Sequence, residues 1–388
     1  MTGAHIAGVG LTRFGRQPER TGRDLFGEAA TAALSDAGVG VDDVEALHYG
    51  NFMGSLAEGQ GHQAPLVAEA AGLGCPATRY EEACASAGVA VREAVRLVEA
   101  GVQDVVLAGG MERMTNLGTE GATRGLAIAA DELFEVRAGM TFPGAYALMA
   151  RAYFERFGGD REDLAHVASK NHRHALENEF AQYQREVSVA EALEAPPVAE
   201  PLHLFDACPI TDGASAVVVV SEAYAAANDL GAPVRVAGTG QGTDRMALQD
   251  RDHLARTPAA DDAATAAYDD AGLGPEDVDV AEVHDCFTIA EVLALESLGL
   301  YEPGEAVGAA RRGETTADGE LPVNLSGGLK AKGHPVGATG GSQIVELTRL
   351  LRGDHPNSDA VADAEVGLTH NAGGTVGSAV VHVLEVAE

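Results

Sequence analysis

The chain has 388 residues, 46% of them apolar, and carries 59 acidic side chains against 26 basic ones, for a net charge of −33. That length holds two to three domains' worth of core, and so negative a field excludes nucleic acid and anionic membranes as partners, because both need a positive footprint. No run of about 18 uninterrupted apolar residues occurs, which excludes a membrane-spanning helix.

In chain order, residues 5–11 read as a first strand rather than a secretory signal, ending in Thr12-Arg13-Phe14-Gly15. Residues 29–44, AATAALSDAGVGVDDV, return 234 positions later at 263–278 as AATAAYDDAGLGPEDV, with 11 of 16 positions identical. Each copy predicts a helix closed by Ala-Gly, a short turn and a strand (45–49 and 279–284), with Gly38 and Gly272 in the left-handed position past the helix end. The shared Asp-Ala-Gly-x-Gly-x-x-Asp-Val core is too specific for composition alone and points to a duplicated architecture. A helix over 86–100 places Val91, Val95 and Val98 on one face. A buried strand over 105–108 follows. Residues 111–205 read as an insertion with helices at 145–157 and 161–178, suited to a substrate-binding cap. Another buried strand spans 217–220, the seam between the halves falls near residues 229–233, a helix covers 341–351, and a β-rich run closes the chain at 376–386. Such alternation predicts mixed sheets covered by helices.

Four segments can carry chemistry. Cys84 precedes the 86–100 helix, where the positive end of the helix dipole lowers a thiol's pKa; a buried inert cysteine is the alternative. His334 lies in the glycine-rich loop Gly333-His334-Pro335-Val336-Gly337-Ala338-Thr339-Gly340 and suits a general base. Two of the chain's three lysines, Lys330 and Lys332, flank that loop and suggest a nearby anion. Cys286, in His284-Asp285-Cys286-Phe287, offers a second thiol at a strand end, or else a core turn in which Asp285 caps the following helix. The late turn Asn371-Ala372-Gly373-Gly374 could turn backbone N–H groups toward an oxyanion. The four cysteines show neither zinc-site spacing nor a disulfide framework.

Together these segments resemble the thiolase family. Cys84-Ala85-Ser86, the run 109–114, Thr211-Asp212-Gly213-Ala214-Ser215-Ala216, the Gly333–Gly340 loop and the Asn371-x-Gly373-Gly374 turn occur in that family's order and spacing, over essentially the whole chain. The resemblance implies the thiolase fold: an α/β protein whose two duplicated βαβ-type halves, 1–231 and 232–388, form a layered sandwich, with a loop domain inserted at about 111–205. It implies an acyl-CoA C-acyltransferase in which Cys84 is the nucleophile and His334 its base. Where most thiolases carry a late catalytic cysteine this chain has Asn371, an exchange similar to that of the sterol-carrier-protein and archaeal types, where the cysteine of His-Asp-Cys-Phe replaces the missing one; Cys286 is then the second base. The resemblance assigns one oxyanion site to the N–H groups of Cys84 and Gly373 and the other to His334 with help near His284. Lys330, Lys332 and Ser326 are the candidate substrate-binding residues. Ala87, where many members have glycine, is expected to tighten the pocket around Cys84. No cofactor or metal is expected beyond coenzyme A thioesters as substrates. A homodimer or homotetramer, a cytoplasmic setting and a small OB-fold, zinc-ribbon acyl-CoA-binding partner are further expectations. The acidic, lysine-poor composition resembles that of proteins from salt-loving microbes. The alternative is a non-catalytic thiolase-fold subunit that binds acyl-CoA or serves as a scaffold.

Overall fold

The computed structural model describes residues 3–231 and 234–387, so Ala232 and Pro233 of the expected seam lie outside the described residues. The strands are β1 (Ala4–Leu11), β2 (Ala46–Gly50), β3 (Ala77–Tyr80), β4 (Val105–Glu112), β5 (Pro197–Ala199), β6 (Leu202–His203), β7 (Gly213–Ser221), β8 (Val234–Thr243), β9 (Val280–Glu282), β10 (Val366–Gly373) and β11 (Ser378–Val386). Nine of them form one sheet in the order β3-β2-β4-β7-β1-β8-β11-β10-β9, while β5 and β6 pair separately.

The order mirrors about the β1–β8 junction. Moving outward, β7 and β11 pair antiparallel to the central strands, β4 and β10 antiparallel to those, and β2 and β9 parallel to the last. The helices Gly22–Ala37 and Pro258–Ala271 cover one face of each half-sheet. Between the half-sheets lie the helices Ser86–Glu99 and Thr339–Arg352. Val91, Val95, Val98, Ile344 and Leu347 share one apolar cluster there with Val217, Val219, Val234 and Val236. Burying each such side chain contributes about 1.5–3 kcal/mol.

The repeated residues have repeated jobs. Asp36 accepts a hydrogen bond from the Val9 N–H at 2.9 Å, and Asp270 does the same for Thr239 at 3.0 Å. Asp43 caps the Gly40 N–H at 3.1 Å, and Asp277 the Gly274 N–H at 2.8 Å. Gly8 and Gly10 sit against the backbone of Ala33, Ala37 and Ala29, and Gly238 and Gly240 meet Ala267, Ala271 and Ala263 in the same way. A Cβ at those glycines would strike a carbonyl or amide of the covering helix, so helix and strand approach this closely only without one. Gly38 and Gly272 close their helices at φ 67° and 71°, as the sequence predicts.

Between β4 and β7 lie the helices Phe142–Phe157 and Arg161–His174. The second stops short of the predicted 178 because the Asn178 side chain turns to the Ser326 carbonyl and the Glu346 carboxylate. β9 is also shorter than predicted. Its chain leaves the sheet after Glu282, where the Val283 N–H goes to the Asn324 side chain at 2.8 Å.

Candidate active site

A strained turn presents Cys84. Ala83 holds φ at 49°, a left-handed geometry that costs an alanine on the order of 1–2 kcal/mol. Three hydrogen bonds keep it there: the Glu81 carboxylate accepts from the Ala83 N–H at 2.8 Å, and the Ser86 hydroxyl accepts from the Glu82 N–H at 2.9 Å and donates to the Ala83 carbonyl at 2.7 Å. The expected lowering of the thiol by the helix dipole is overturned. Burial pushes Cys84 up to about 12, with Cys208 adding to the effect and the Gly374 and Cys84 N–H groups opposing it. Loss of water outweighs the dipole, so the resting group is a neutral thiol. The Ala87 methyl packs beside Gly110 and Gly341, where β4 meets the Thr339–Arg352 helix.

The His334 ring approaches from the second half. Its Nδ1 lies 2.7 Å from the Thr339 hydroxyl, which donates to the Pro335 carbonyl at 3.1 Å. A hydroxyl has one proton to give, so Thr339 accepts from Nδ1–H and leaves Nε2 free to take a proton. Burial lowers the ring's pKa to about 3, so it stays neutral. His284 has the opposite tautomer: the Asn371 amide donates to its Nδ1 at 3.1 Å, which places the proton on a buried Nε2 with no protein partner. The two rings meet edge to face, 5.0 Å between centroids. The Cys84 sulfur and a nitrogen of each ring all lie within 4.8 Å of one another. Among the described residues this is also the one cluster of at least three side chains placed to ligate a metal. A thiol and an Nε2–H would both have to lose protons to do so, and this set is better suited to moving protons than to holding a cation.

Cys286 follows β9. Asp285 beside it does not cap the next helix, whose Thr288 hydroxyl goes to Asp206 at 2.7 Å. It clamps the His334 loop instead, accepting from the Leu329 N–H at 2.6 Å, the Lys330 N–H at 3.3 Å and the Asn171 amide at 2.7 Å. Burial, then Glu291, raises this carboxyl to about 7. Cys286 is pushed well above the usual thiol range by burial and then by Cys208, against a hydrogen bond from Tyr146. The Cys208 N–H donates to the Cys286 carbonyl at 3.0 Å.

Two of the three candidate substrate-binding residues are used elsewhere. The Lys332 ammonium is buried 3.6 Å from Glu346, and the buried Ser326 hydroxyl donates to Glu282 at 2.6 Å. Both brace the loop from beneath. Lys330 alone reaches a pocket, about 180 Å³, lined also by His172, Tyr183, Arg185, Phe205 and Cys208 from the inserted segment and its exit. Its ammonium donates to the Ala207 carbonyl at 2.7 Å, and burial lowers its pKa to about 8. At the late turn, the Gly374 N–H opposes the raised pKa of the Cys84 thiol, and Gly373 ends β10, paired with Ser378.

The sequence reading missed Tyr146, Cys208 and the Thr339 partnership. Thr339 could have been found, since it lies in the same glycine-rich loop as His334. Tyr146 carries no local signal.

Comparison with known proteins gives the family. The family described as Thiolase, N-terminal domain matches residues 5–223, and Thiolase C-terminal domain-like matches residues 240–386. The chain belongs to the thiolase family. It is 43% identical to the acetyl-CoA acetyltransferase of Methanothermobacter thermautotrophicus, over 97% of this chain and 98% of that protein. It is 34% identical to sterol carrier protein 2 of Rattus norvegicus, over 95% of this chain and 69% of that protein. Among solved structures, the Ltp2-ChsH2(DUF35) aldolase superposes with a TM-score of 0.84 at 28% identity, covering 99% of this chain and 98% of that one. By its family the chain is an acyltransferase. Among the described residues no helix is long and apolar enough to cross a membrane.

Proposed function

We propose that this thiolase is an acetyl-CoA C-acyltransferase that makes or cleaves a 3-oxoacyl-CoA, acetoacetyl-CoA first among them, through an acyl group carried on Cys84. The convergence of the Cys84 sulfur with one proton-accepting and one proton-donating imidazole within 4.8 Å carries the reading. The Cys84 proton passes to His334 Nε2 as the sulfur adds to the thioester carbonyl, and the same proton leaves with the departing CoA thiol. The neutral resting pair makes this general-base catalysis at the moment of attack rather than a standing ion pair. A second acyl-CoA then gives its α-proton to Cys286 in its thiolate form. The resulting carbanion attacks the acyl carbon, breaking its bond to Cys84, and the released Cys84 thiolate takes up the proton that Cys286 received, which restores both sulfurs. His284 Nε2–H is free to donate to an enolate oxygen, and such a donor is typically worth about 3–4 kcal/mol.

CoA is anionic and the chain strongly acidic, so the Lys330–Arg185 pocket is the entry this reading favours. A small OB-fold, zinc-ribbon acyl-CoA-binding partner could add further contacts, in keeping with a DUF35-bearing complex among the structural relatives. Assembly as a homodimer or homotetramer, a cytoplasmic setting and adaptation to high salt belong to the same proposal. Crowded surface charge repels itself weakly where the Debye length is about 3 Å, so the thermal midpoint should climb as KCl approaches 1 M.

The test is incubation of the purified protein with acetyl-CoA in high KCl. An acetyl adduct mapped to Cys84 by mass spectrometry, together with CoA-dependent cleavage of acetoacetyl-CoA, is expected. A chain that binds acyl-CoA without adduct or turnover would be the non-catalytic subunit instead.

A further inference from the structure

Tyr146 stands in the inserted segment, on the Phe142–Phe157 helix, far in sequence from every residue of the site. It is buried, with its ring stacked on Phe287 at 4.7 Å and 27°. Its hydroxyl donates to the Gly374 carbonyl at 3.0 Å, and it shares a buried cluster with Cys286, whose thiol it acts on. Gly374 is also the residue whose N–H meets the Cys84 sulfur. One phenol therefore adjoins the second sulfur and bonds the residue whose backbone acts on the first.

We propose that Tyr146 is a positioning residue for carbon deprotonation, holding the Cys286 sulfur toward substrate and supplying the hydrogen bond that lets it exist as a thiolate. The phenol has one proton and two acceptors in reach. While Cys286 is a thiol, its S–H points at the phenol oxygen and the phenol proton rests on the Gly374 carbonyl. When Cys286 loses its S–H proton to solvent, the phenol proton turns to the sulfur. The substrate C–H bond then breaks, its electron pair moving into the enolate, and the proton forms a new S–H bond. A donor to the charged form favours that form. Cys208, Cys84 and Asp285 also face Cys286, and all three disfavour its ionisation. Arg251 lies near the phenol, and Lys330 near Cys208. Tyr146 is the one of the groups acting on the Cys286 side chain that favours its thiolate.

The inference rests on the acyl-transfer reading above, and the experiment separates the two. Tyr146→Phe keeps the ring and its stacking but removes the donor. Its acetoacetyl-CoA synthesis is expected to fall at least about tenfold further than its rate of Cys84 acetylation, the worth of one hydrogen bond to a charged group. Alkylation of Cys286 by iodoacetamide, followed by site-resolved mass spectrometry in a Cys84→Ser background, is expected to need higher pH and to run about tenfold slower at a given pH. If the two steps fall together and the alkylation midpoint stays put, Tyr146 is only a packing residue. If the parent protein acquires no acetyl group at all, the acyl-transfer reading fails while the alkylation midpoint still judges Tyr146. Should the phenylalanine variant not fold, 3-fluorotyrosine at the same position, with a more acidic phenol, is expected to shift the midpoint to lower pH; an unmoved midpoint would overturn the proposal.

Discussion

The two central helices invite comparison. Ser86–Glu99 and Thr339–Arg352 have the same 14-residue length, sit in mirrored positions and approach closely where Gly88 meets Gly340. Each begins at the site, yet their approaches differ. The first is entered by a turn held almost wholly by residues 81–86. The second is entered by a loop held from afar, through Asp285 on Leu329, Thr211 on the His334 N–H, Glu282 on Ser326 and Glu346 beside Lys332. A duplicated scaffold thus presents Cys84 by local strain and His334 by tertiary clamping.

The most damaging test of this division is Cys84→Ala, expected to reduce turnover on the order of 10⁴-fold or more, with no acetyl adduct by mass. A residual adduct elsewhere would move the nucleophile out of the first turn. His334→Asn follows, with an expected loss of about 10²–10⁴-fold in the rate of Cys84 acetylation. Because burial holds the ring to about 3, it loses its proton-accepting form only as pH falls toward that value. Rapid-quench acetylation should therefore show no acid limb near the ordinary histidine value of about 6.5; a limb there would show the base to be solvated.

The lysines sharpen the contrast between bracing and binding. Lys332→Met leaves Glu346 with Arg349 at 3.7 Å as its remaining cation and should cost about 1–3 kcal/mol in chemical denaturation. Lys330→Met should chiefly raise KM for acyl-CoA, by about tenfold, the worth of one charge-assisted contact. Equal effects from both would erase the distinction. The smallest change is expected from Glu81→Ala, which removes one acceptor from the Ala83 turn: about 0.5–1.5 kcal/mol of stability and a few-fold slower acetylation, read in the same quench assay.

Much of this was legible beforehand because its causes are local. The repeat at 29–44 and 263–278 survives because Asp36 and Asp270, Asp43 and Asp277, and the paired alanines do the same work in each half. The segments around Cys84, His334 and Cys286 stood out by pattern. Other features were not readable. Lys332 and Ser326 looked like ligands for an anion because they flank a glycine-rich loop, and only the fold shows carboxylates waiting beneath them. Asp285 looked like a helix cap, and its true partners lie 114 positions earlier and 44 and 45 positions later.

The sequence alone determined the duplicated α/β architecture, the helix that starts at Cys84 and the three candidate reacting groups, since periodicity, glycine placement and short motifs act over a few residues. Tertiary structure alone decided the protonation state of Cys84, the opposite tautomers of His334 and His284, and the presence of Tyr146 beside Cys286. The reason is that desolvation and hydrogen-bond partnership are properties of the space around a group, and distant segments fill that space only when the chain folds.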